Sequence, residues 1–311
     1  MALEDMSEKH PVFPIPWKDV EAALHVFEPA RGGNSSAHRG VVTISHKQKV
    51  FVKIGVDDYT MNWAKKEIES YAFLHERQYP YIPAFLSANA DKTGFAIDAL
   101  LPEDGWDWSD TWDANRLKAT LAAMDALAVI MPDPKDAELL KPIITDDLNG
   151  WNKLVTSPKQ QARLVAMLKD VPDQSIMADL ALHAERSSEY RVRHDTLVHD
   201  DVRADNCGWN PRTGEVKLVD WNWLELGDRR LDLAAFLVHV HQNGCDVLKK
   251  CADRLDASAL HWMAGFWLES ASEPMWPGGP EALRGKQLLS GLTALKLARE
   301  LSLFTSSSSF E

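Results

Sequence analysis

Apolar and polar positions alternate along much of the first hundred residues, a pattern typical of half-buried β-strands. Short strands are predicted at 39–45, 49–55, 84–88 and 95–101. The polar tripeptide 46–48 joins the first two and predicts a hairpin. A helical pattern starts after Asp57 or Asp58, either of which is a good N-cap, and ends near Arg77.

The pattern changes after Pro102–Gly105, a turn-forming segment that follows the last of these strands. Beyond it, helical periodicity covers 112–130, 159–189 with an interruption expected at Pro172, and most of the chain after 229. Strand-like segments return at 196–199 and 216–221. The sequence therefore predicts an α+β fold with a small antiparallel-sheet lobe, residues 1–101, and a larger, mostly helical lobe, residues 102–311.

Charge and cysteine content narrow the function classes. The 311 residues carry a formal net charge of −12, which disfavours a nucleic-acid or anionic-membrane binder because such partners attract a basic face. No apolar run approaches the roughly 18 residues of a membrane span. The three cysteines show no metal-ligand spacing, and their odd number favours a reduced, cytoplasmic setting.

The segment LVHDDVRADN, residues 197–206, holds the densest group of chemically active side chains. An apolar strand leads into it, and a second apolar strand ends at Asp220. Asp201, Asn206 and Asp220 then present oxygen atoms at the base of one hairpin-like loop. Mg²⁺ prefers such oxygen ligands, and a remaining carboxylate is suited to act as a base.

The pattern H-x-D-x-x-x-x-N, followed by a strand ending in Asp, resembles the catalytic segment of the aminoglycoside phosphotransferase and choline kinase family. His199, Asp201, Asn206 and Asp220 match it, whereas Asp200 stands where the family usually has glycine. The resemblance implies a protein-kinase-like fold and ATP-dependent transfer of a phosphoryl group to a small-molecule hydroxyl. Asp201 would be the catalytic base, and Asn206 and Asp220 would bind Mg²⁺.

The resemblance also implies a strand lysine paired with a helical glutamate in the small lobe. KVFVKIG, residues 49–55, supplies Lys53. Glu67 lies on an otherwise apolar helical stripe, where a charge needs a buried partner. Glu69 instead follows Lys65 and Lys66 by one turn and is predicted to be served at the surface. We therefore expect Lys53 to pair with Glu67.

Three further assignments follow from the resemblance. Ser35 and Ser36, between the first two strands, would approach the nucleotide phosphates, although the segment is not a G-x-G-x-x-G loop. The main chain near Asp98 and Leu100 would contact adenine. Asp232 would brace the catalytic segment.

The acceptor stays open at this stage. Segment 103–113 holds five acidic residues, and in the resembled family acidic residues bind cationic acceptors; a solvated acidic loop is the other interpretation. Two alternative functions also remain. The pairs His194-Asp195 and His199-Asp200 are compatible with a metal-dependent phosphohydrolase, and the unusual phosphate segment is compatible with a kinase-like nucleotide-binding module without turnover.

Overall fold

A computed structural model describes residues 14–30, 35–44, 48–169, 171, 175–276 and 279–307, with side chains to residue 302. The chain forms two compact units, residues 1–101 and 102–311. None of the helices in the described ranges is long and apolar enough to cross a bilayer.

The N-terminal unit contains an antiparallel sheet. Its strands are β1 (Glu28–Pro29), β2 (His38–Thr43), β3 (Lys49–Ile54), β4 (Phe85–Ala88) and β5 (Gly94–Asp98), in the order β1-β2-β3-β5-β4. The expected pairing of β2 with β3 is present, with Arg39 opposite Lys53. Most of their connecting tripeptide falls outside the described residues. Burial alternates along β3, where Val50 and Val52 are fully buried, and this apolar face holds the sheet on the core.

Two helices accompany the sheet, α1 (Trp17–Ala23) and α2 (Asp58–Glu76). Asp57 caps α2, since its side chain accepts a hydrogen bond from the Thr60 N–H at 2.8 Å. The buried side of α2 includes Ile68, Tyr71 and Leu74, which are apolar, together with Glu67. The apolar stripe expected from the sequence is therefore the face that packs inward.

The second unit is mostly helical. Its helices are α3 (Ala114–Ala128), α4 (Gly150–Thr156), α5 (Pro158–Leu168), α6 (Ser175–Ala178), α7 (Leu180–Ser188), α8 (Arg229–Gln242), α9 (Val247–Cys251), α10 (Ala257–Ser272) and α11 (Leu283–Ser307). The helical region predicted at 159–189 is three helices, and Pro172 lies outside the described residues. Together the two units confirm the predicted α+β class.

Four short strands in this unit position the chemistry. They are β6 (Thr196–Val198), β7 (Cys207–Asn210), β8 (Glu215–Leu218) and β9 (Glu225–Gly227). β7 pairs with β8, and β6 pairs with β9. The prediction that the strands at 196–199 and 216–221 form the two arms of one hairpin-like loop was wrong. A turn at 211–214, with Gly214 at φ +76°, folds β8 back on β7, so that β6 takes β9 as its partner.

Candidate active site

The loop 199–206, between β6 and β7, is anchored by a buried histidine. The His199 Nε2–H donates to the Val219 carbonyl at 3.0 Å, and Nδ1 accepts from the Asp201 N–H at 3.3 Å. Burial lowers the pKa of His199 to about 4. The ring is therefore neutral at physiological pH and fully bonded, which makes it a brace of the loop.

Asp201 and Asn206 are joined within this loop. The Asn206 Nδ2 donates to the Asp201 carbonyl at 2.8 Å and to its Oδ2 at 2.9 Å. The Val219 N–H donates to the Asn206 carbonyl at 3.0 Å. This last bond brings the residue before Asp220 directly against Asn206. The second unit thus brings the three predicted oxygen donors into one region.

Asp220, two residues after the end of β8, has a left-handed conformation, φ +68°. With the Asn222 side-chain amide oriented to satisfy its neighbours, its nitrogen donates to the Asp220 Oδ1 at 3.1 Å and carbonyl at 3.0 Å. A non-glycine residue with positive φ is a conformation that proteins keep mainly where function or packing requires it. The turn sets the direction of the carboxylate at the start of the next segment.

Arg203 balances the charge of the loop. Its Nε lies 3.3 Å from the Asp201 Oδ1 and 3.2 Å from the Asp205 Oδ1. Desolvation raises the pKa of Asp201 to about 7, with the charge of Arg203 opposing and that of Asp220 adding to it. Asp201 is therefore a carboxyl whose proton affinity is tuned to the neutral range, as a general base requires.

A hydrogen bond between Asp232 and Asp200 stabilises loop 199–206. Asp232 is buried, and its Oδ1 accepts from the Asp200 N–H at 3.0 Å, which is the bracing contact expected from the sequence. Asp200 has φ +59°, in the left-handed region that glycine adopts freely and aspartate tolerates better than most residues. This conformation gives the physical reason for glycine at that position in the resembled pattern.

Two further loop-holding residues were missed from the sequence. Arg116 on α3 is buried, and its guanidinium donates to the carbonyls of Cys207 at 2.9 Å and Ala204 at 3.5 Å. His239 on α8 accepts from the Ala204 N–H at 3.0 Å. A signal for Arg116 was present, since it precedes Thr120 by four residues on the buried side of α3.

In the N-terminal unit, Lys53 and Glu67 form a buried ion pair. The Lys53 Nζ lies 2.6 Å from the Glu67 Oε2, and the two residues are only 6% and 2% exposed. β3 holds Lys53 between β2 and β5, opposite Arg39 and Phe95. Glu69 lies near the surface as expected, but it forms an ion pair with Lys92, at 3.3 Å, in place of the predicted Lys65 and Lys66. The pattern of helical faces distinguished Glu67 from Glu69. It could not predict the contact with Lys92, which lies in a loop distant in sequence.

The remaining predicted nucleotide contacts also lie in this unit. Ser36 donates from Oγ to the Asp57 Oδ2 at 2.5 Å, so its hydroxyl is joined to the cap of α2; Ser35 is half-buried beside it. Residues 31–34 fall outside the described residues. Asp98 ends β5 and donates its N–H to the Ala84 carbonyl at 3.0 Å, and Leu100 follows in the segment before Pro102. The phosphate and adenine assignments remain predictions.

The donor set fits a magnesium ion. The Asn206 amide nitrogen is bonded to Asp201, so the amide oxygen is the atom that this side chain offers to a cation. Asp220 adds a carboxylate, and two protein oxygens with several waters is a usual magnesium environment.

No group of three or more His, Cys, Asp and Glu side chains suited to a metal occurs among the described residues. His194 and Asp195 are exposed and precede β6. Within the described part of the chain, the phosphohydrolase alternative therefore has no such ligand cluster.

Solved structures of small-molecule kinases share the fold of this chain. Spectinomycin phosphotransferase in complex with ADP and spectinomycin superposes with a TM-score of 0.58 at 11% identity, over 92% of this chain and 98% of that one. Choline kinase LicA from Streptococcus pneumoniae gives 0.56 at 11% identity, over 89% and 96%. Plasmodium vivax ethanolamine kinase gives 0.52 at 12% identity, over 88% and 81%.

No family model and no curated protein sequence matches the chain. At these identities the structural likeness establishes the fold, and it confirms the protein-kinase-like architecture that the sequence predicted. In these three comparisons the likeness covers 88–92% of this chain.

Proposed function

We propose that the protein is an ATP-dependent phosphotransferase that moves the γ-phosphoryl group to a hydroxyl of a small molecule. One observation supports this most strongly: on a fold shared with small-molecule kinases, loop 199–206 joins Asp201 to Asn206 by two hydrogen bonds beside Asp220. Such a loop provides a base and a cation site together, which phosphoryl transfer needs.

In the proposed reaction, Asp201 orients the acceptor hydroxyl and accepts its proton. The hydroxyl oxygen forms a bond to the γ-phosphorus while the bond between that phosphorus and the β–γ bridging oxygen breaks, and ADP leaves. Asn206 and Asp220 would hold Mg²⁺, whose charge neutralises the phosphates. Arg203, paired with Asp201 and Asp205, keeps the Asp201 carboxyl oriented within the loop.

The N-terminal unit would bind the nucleotide. Glu67 fixes the ammonium group of Lys53 by their 2.6 Å contact, so that a defined positive charge is available to the α- and β-phosphates. Ser35 and Ser36 near the phosphates, and the main chain at Asp98 and Leu100 near adenine, complete the proposed nucleotide site. The superposable spectinomycin phosphotransferase with bound ADP, and LicA with bound AMP at a TM-score of 0.51, support an adenine nucleotide.

The similar kinases also suggest which chemical class of acceptor the protein uses. The superposable kinases named for choline, ethanolamine and spectinomycin act on amine-bearing alcohols, which favours a cationic acceptor here. Within segment 103–113, Asp107 accepts from the Ser109 N–H, and Asp113 caps α3. Asp107 and Asp113 therefore have structural roles within the unit, and Asp104 and Asp110 are the candidates for contact with a cation.

The test is ATP consumption measured against a panel of hydroxylated metabolites, amino-alcohols and antibiotics, with Mg²⁺ present. We expect turnover with at least one acceptor, and a loss of about 10²–10⁴-fold in Asp201→Asn, because a positioned base is worth that much. Nucleotide affinity should be retained in this variant. Full activity of Asp201→Asn would remove Asp201 from its proposed role.

The metal assignment has its own test. Asp220→Ala should weaken binding of Mg·ATP in isothermal titration, since it removes the one carboxylate of the proposed cation site. Asp195→Asn, which removes an exposed carboxylate outside the loop, is the matched control. Equal affinity of Asp220→Ala and the unmodified protein would contradict the assignment. Nucleotide binding without transfer to any acceptor would support the kinase-like module without turnover.

A further inference from the structure

A connected set of ion pairs runs from the surface of the second unit towards loop 199–206. Asp125 on α3 forms its outer part and contacts two arginines from other elements. The Arg229 Nη2, at the start of α8, lies 2.7 Å from the Asp125 Oδ1. The Arg254 Nη1, in the short helical turn Ala252–Arg254, lies 3.1 Å from the Asp125 Oδ2. Three separate segments are therefore joined at one carboxylate.

Arg229 bridges two carboxylates with different nitrogen atoms. Its Nη2 contacts Asp125, while its Nη1 lies 3.3 Å from the Asp232 Oδ2. A planar guanidinium holds its N–H groups in a fixed fork, so it can fix two acceptors in a defined geometry. Arg229 therefore sets the position of the Asp232 carboxylate relative to α3.

The other oxygen of Asp232 contacts loop 199–206 itself. The Asp232 Oδ1 accepts from the N–H of Asp200, the residue directly before Asp201. Burial raises the pKa of Asp232, and the charge of Arg229 is the strongest influence that opposes this rise. Without Arg229, the acceptor of the Asp200 N–H would be a buried carboxylate that has lost its counter-charge.

Exposure falls along this set of residues from the surface inwards. The exposed fraction of the side chain is 48% at Asp125, 16% at Arg229 and 1% at Asp232. Although burial alone would raise it, hydrogen bonds from Arg254 and Arg229 hold the pKa of Asp125 below its usual value. Isolated surface ion pairs contribute little, whereas a network of several charges is able to fix a geometry.

We propose that Asp125 and Arg229 are positioning residues for phosphoryl transfer. Together they hold the Asp232 carboxylate, which in turn holds the backbone turn that leads to Asp201. Arg254 fixes the outer end of the set by its contact with Asp125. The catalytic consequence rests on the proposed function, whereas the order of loop 199–206 does not depend on it.

Hydrogen exchange measured by mass spectrometry tests the order of the loop. Arg229→Met should increase exchange in peptides that cover loop 199–206, because the acceptor of the Asp200 N–H loses its counter-charge. Asp125→Asn removes only half-exposed contacts, so we expect it to fold and to cause a smaller increase in the same peptides. Unchanged exchange of this loop in both variants would overturn the proposal.

The matched control is Arg230→Met. Arg230 follows Arg229 on α8 and pairs with a different carboxylate, that of Asp228, at 2.6 Å. This variant also removes an arginine from the first turn of α8 and deprives a buried aspartate of its partner. Exchange in loop 199–206 that rises as much in Arg230→Met as in Arg229→Met would show a general loosening and would also overturn the proposal.

Steady-state kinetics test the catalytic consequence. Arg229→Met should lower kcat about tenfold or more, since a small displacement of a catalytic group is enough for such a loss. KM for ATP should change much less. The double variant Asp125→Asn/Arg229→Met should be no slower than Arg229→Met, because both residues act through Asp232. Additive losses of kcat, or equal changes in kcat and in KM for ATP, would contradict a positioning role.

Failure of the proposed function would give a different result. Absence of phosphoryl transfer in the unmodified protein would defeat the proposed function, while the exchange difference between Arg229→Met and Arg230→Met would still decide whether the set orders the loop. Transfer with a normal kcat in Arg229→Met would defeat only the positioning role.

Discussion

Lys53 and Glu67 illustrate how one buried contact can serve both stability and ligand binding. Lys53→Met would leave the Glu67 carboxylate in an apolar stripe, and breaking a buried pair in this way costs about 3–5 kcal/mol. The double variant Lys53→Met/Glu67→Met should recover most of that loss, because apolar side chains often replace a buried ion pair without cost. Its affinity for ATP should remain lost. Urea unfolding and nucleotide titration would measure the two effects separately.

The matched control for this pair is Lys92→Met. This variant breaks a half-exposed ion pair with Glu69, which lies on α2 as Glu67 does. A pair of that kind contributes at most about 1 kcal/mol, so its loss should be small. A double variant as unstable as Lys53→Met would show that the sheet and helix depend on the charges themselves. Normal ATP affinity in the double variant would exclude Lys53 from the nucleotide site.

Arg116 is the residue on which the second unit's loop geometry depends most directly. Its guanidinium serves the carbonyls of Ala204 and Cys207 at the two sides of Asn206. In Arg116→Met these buried acceptors lose their donor, and unsatisfied groups of this kind lead us to expect about 3 kcal/mol of destabilisation. Lys118→Met, on the exposed side of α3, should change stability by less than about 0.5 kcal/mol. Equal unfolding midpoints for both variants would contradict the bracing role.

At the level of helices, close packing between α4 and α10 depends on two glycines. A Cβ at Gly150 would lie 2.0 Å from the Gly265 carbonyl oxygen, which is backbone and cannot rotate away. We expect Gly150→Ala to destabilise the protein by about 3 kcal/mol, the upper range for overpacking. Gly285→Ala is the control, since nothing lies within 4 Å of its added Cβ, and it should be neutral or stabilising in thermal unfolding. A neutral Gly150→Ala would show that the two helices are able to separate.

Helices and strands with a clear hydrophobic periodicity or a strong N-cap were predictable from the sequence. Which strands pair with each other often was not. The β2–β3 hairpin and α2 follow from apolar alternation and from the cap at Asp57, which act within a few residues. The pairing of β6 with β9 depends on contacts nearly thirty residues apart in sequence. Short strands such as β9 contain too few positions for a pattern, so tertiary packing decides where they pair.

Some residues of the candidate site were likewise predictable from the sequence, and others were not. The group of oxygen donors near two apolar strands, and its resemblance to a kinase segment, indicated Asp201, Asn206 and Asp220, because these residues lie within twenty positions of one another in the sequence. Glu67 was distinguished from Glu69 by helical faces, and the same reasoning would have indicated Arg116 on α3.

Over the whole molecule, buried groups of two kinds have opposite effects on stability in acid. Burial lowers the pKa values of His199, His239 and His261, so these rings make the fold less stable as pH falls below about 6.5. Burial raises the pKa values of Asp200, Asp201 and Asp232, so these groups make it less stable as pH rises above about 4. Between about pH 4 and pH 6.5 the histidines and the aspartates change stability in opposite directions. A variant that removes one buried group should therefore show more clearly the pH dependence that the other kind of group causes.

His261 offers the clearest measurement of this balance. Its Nε2 lies 3.0 Å from the His183 Nδ1, and the Trp151 ring stacks on both imidazoles. Burial, with the neighbouring His183, lowers the pKa of His261 to about 3, so unfolding takes up one proton at this residue between pH 3 and 6.5. From pH 8 to pH 5 this should cost the unmodified protein about 2 kcal/mol of unfolding free energy that His261→Phe does not lose. At pH 8 the ring is neutral in both states, so the difference measured there reports packing alone and serves as the internal control. A difference between the two proteins that stays constant from pH 8 to pH 5 would mean that His261 titrates normally in the fold.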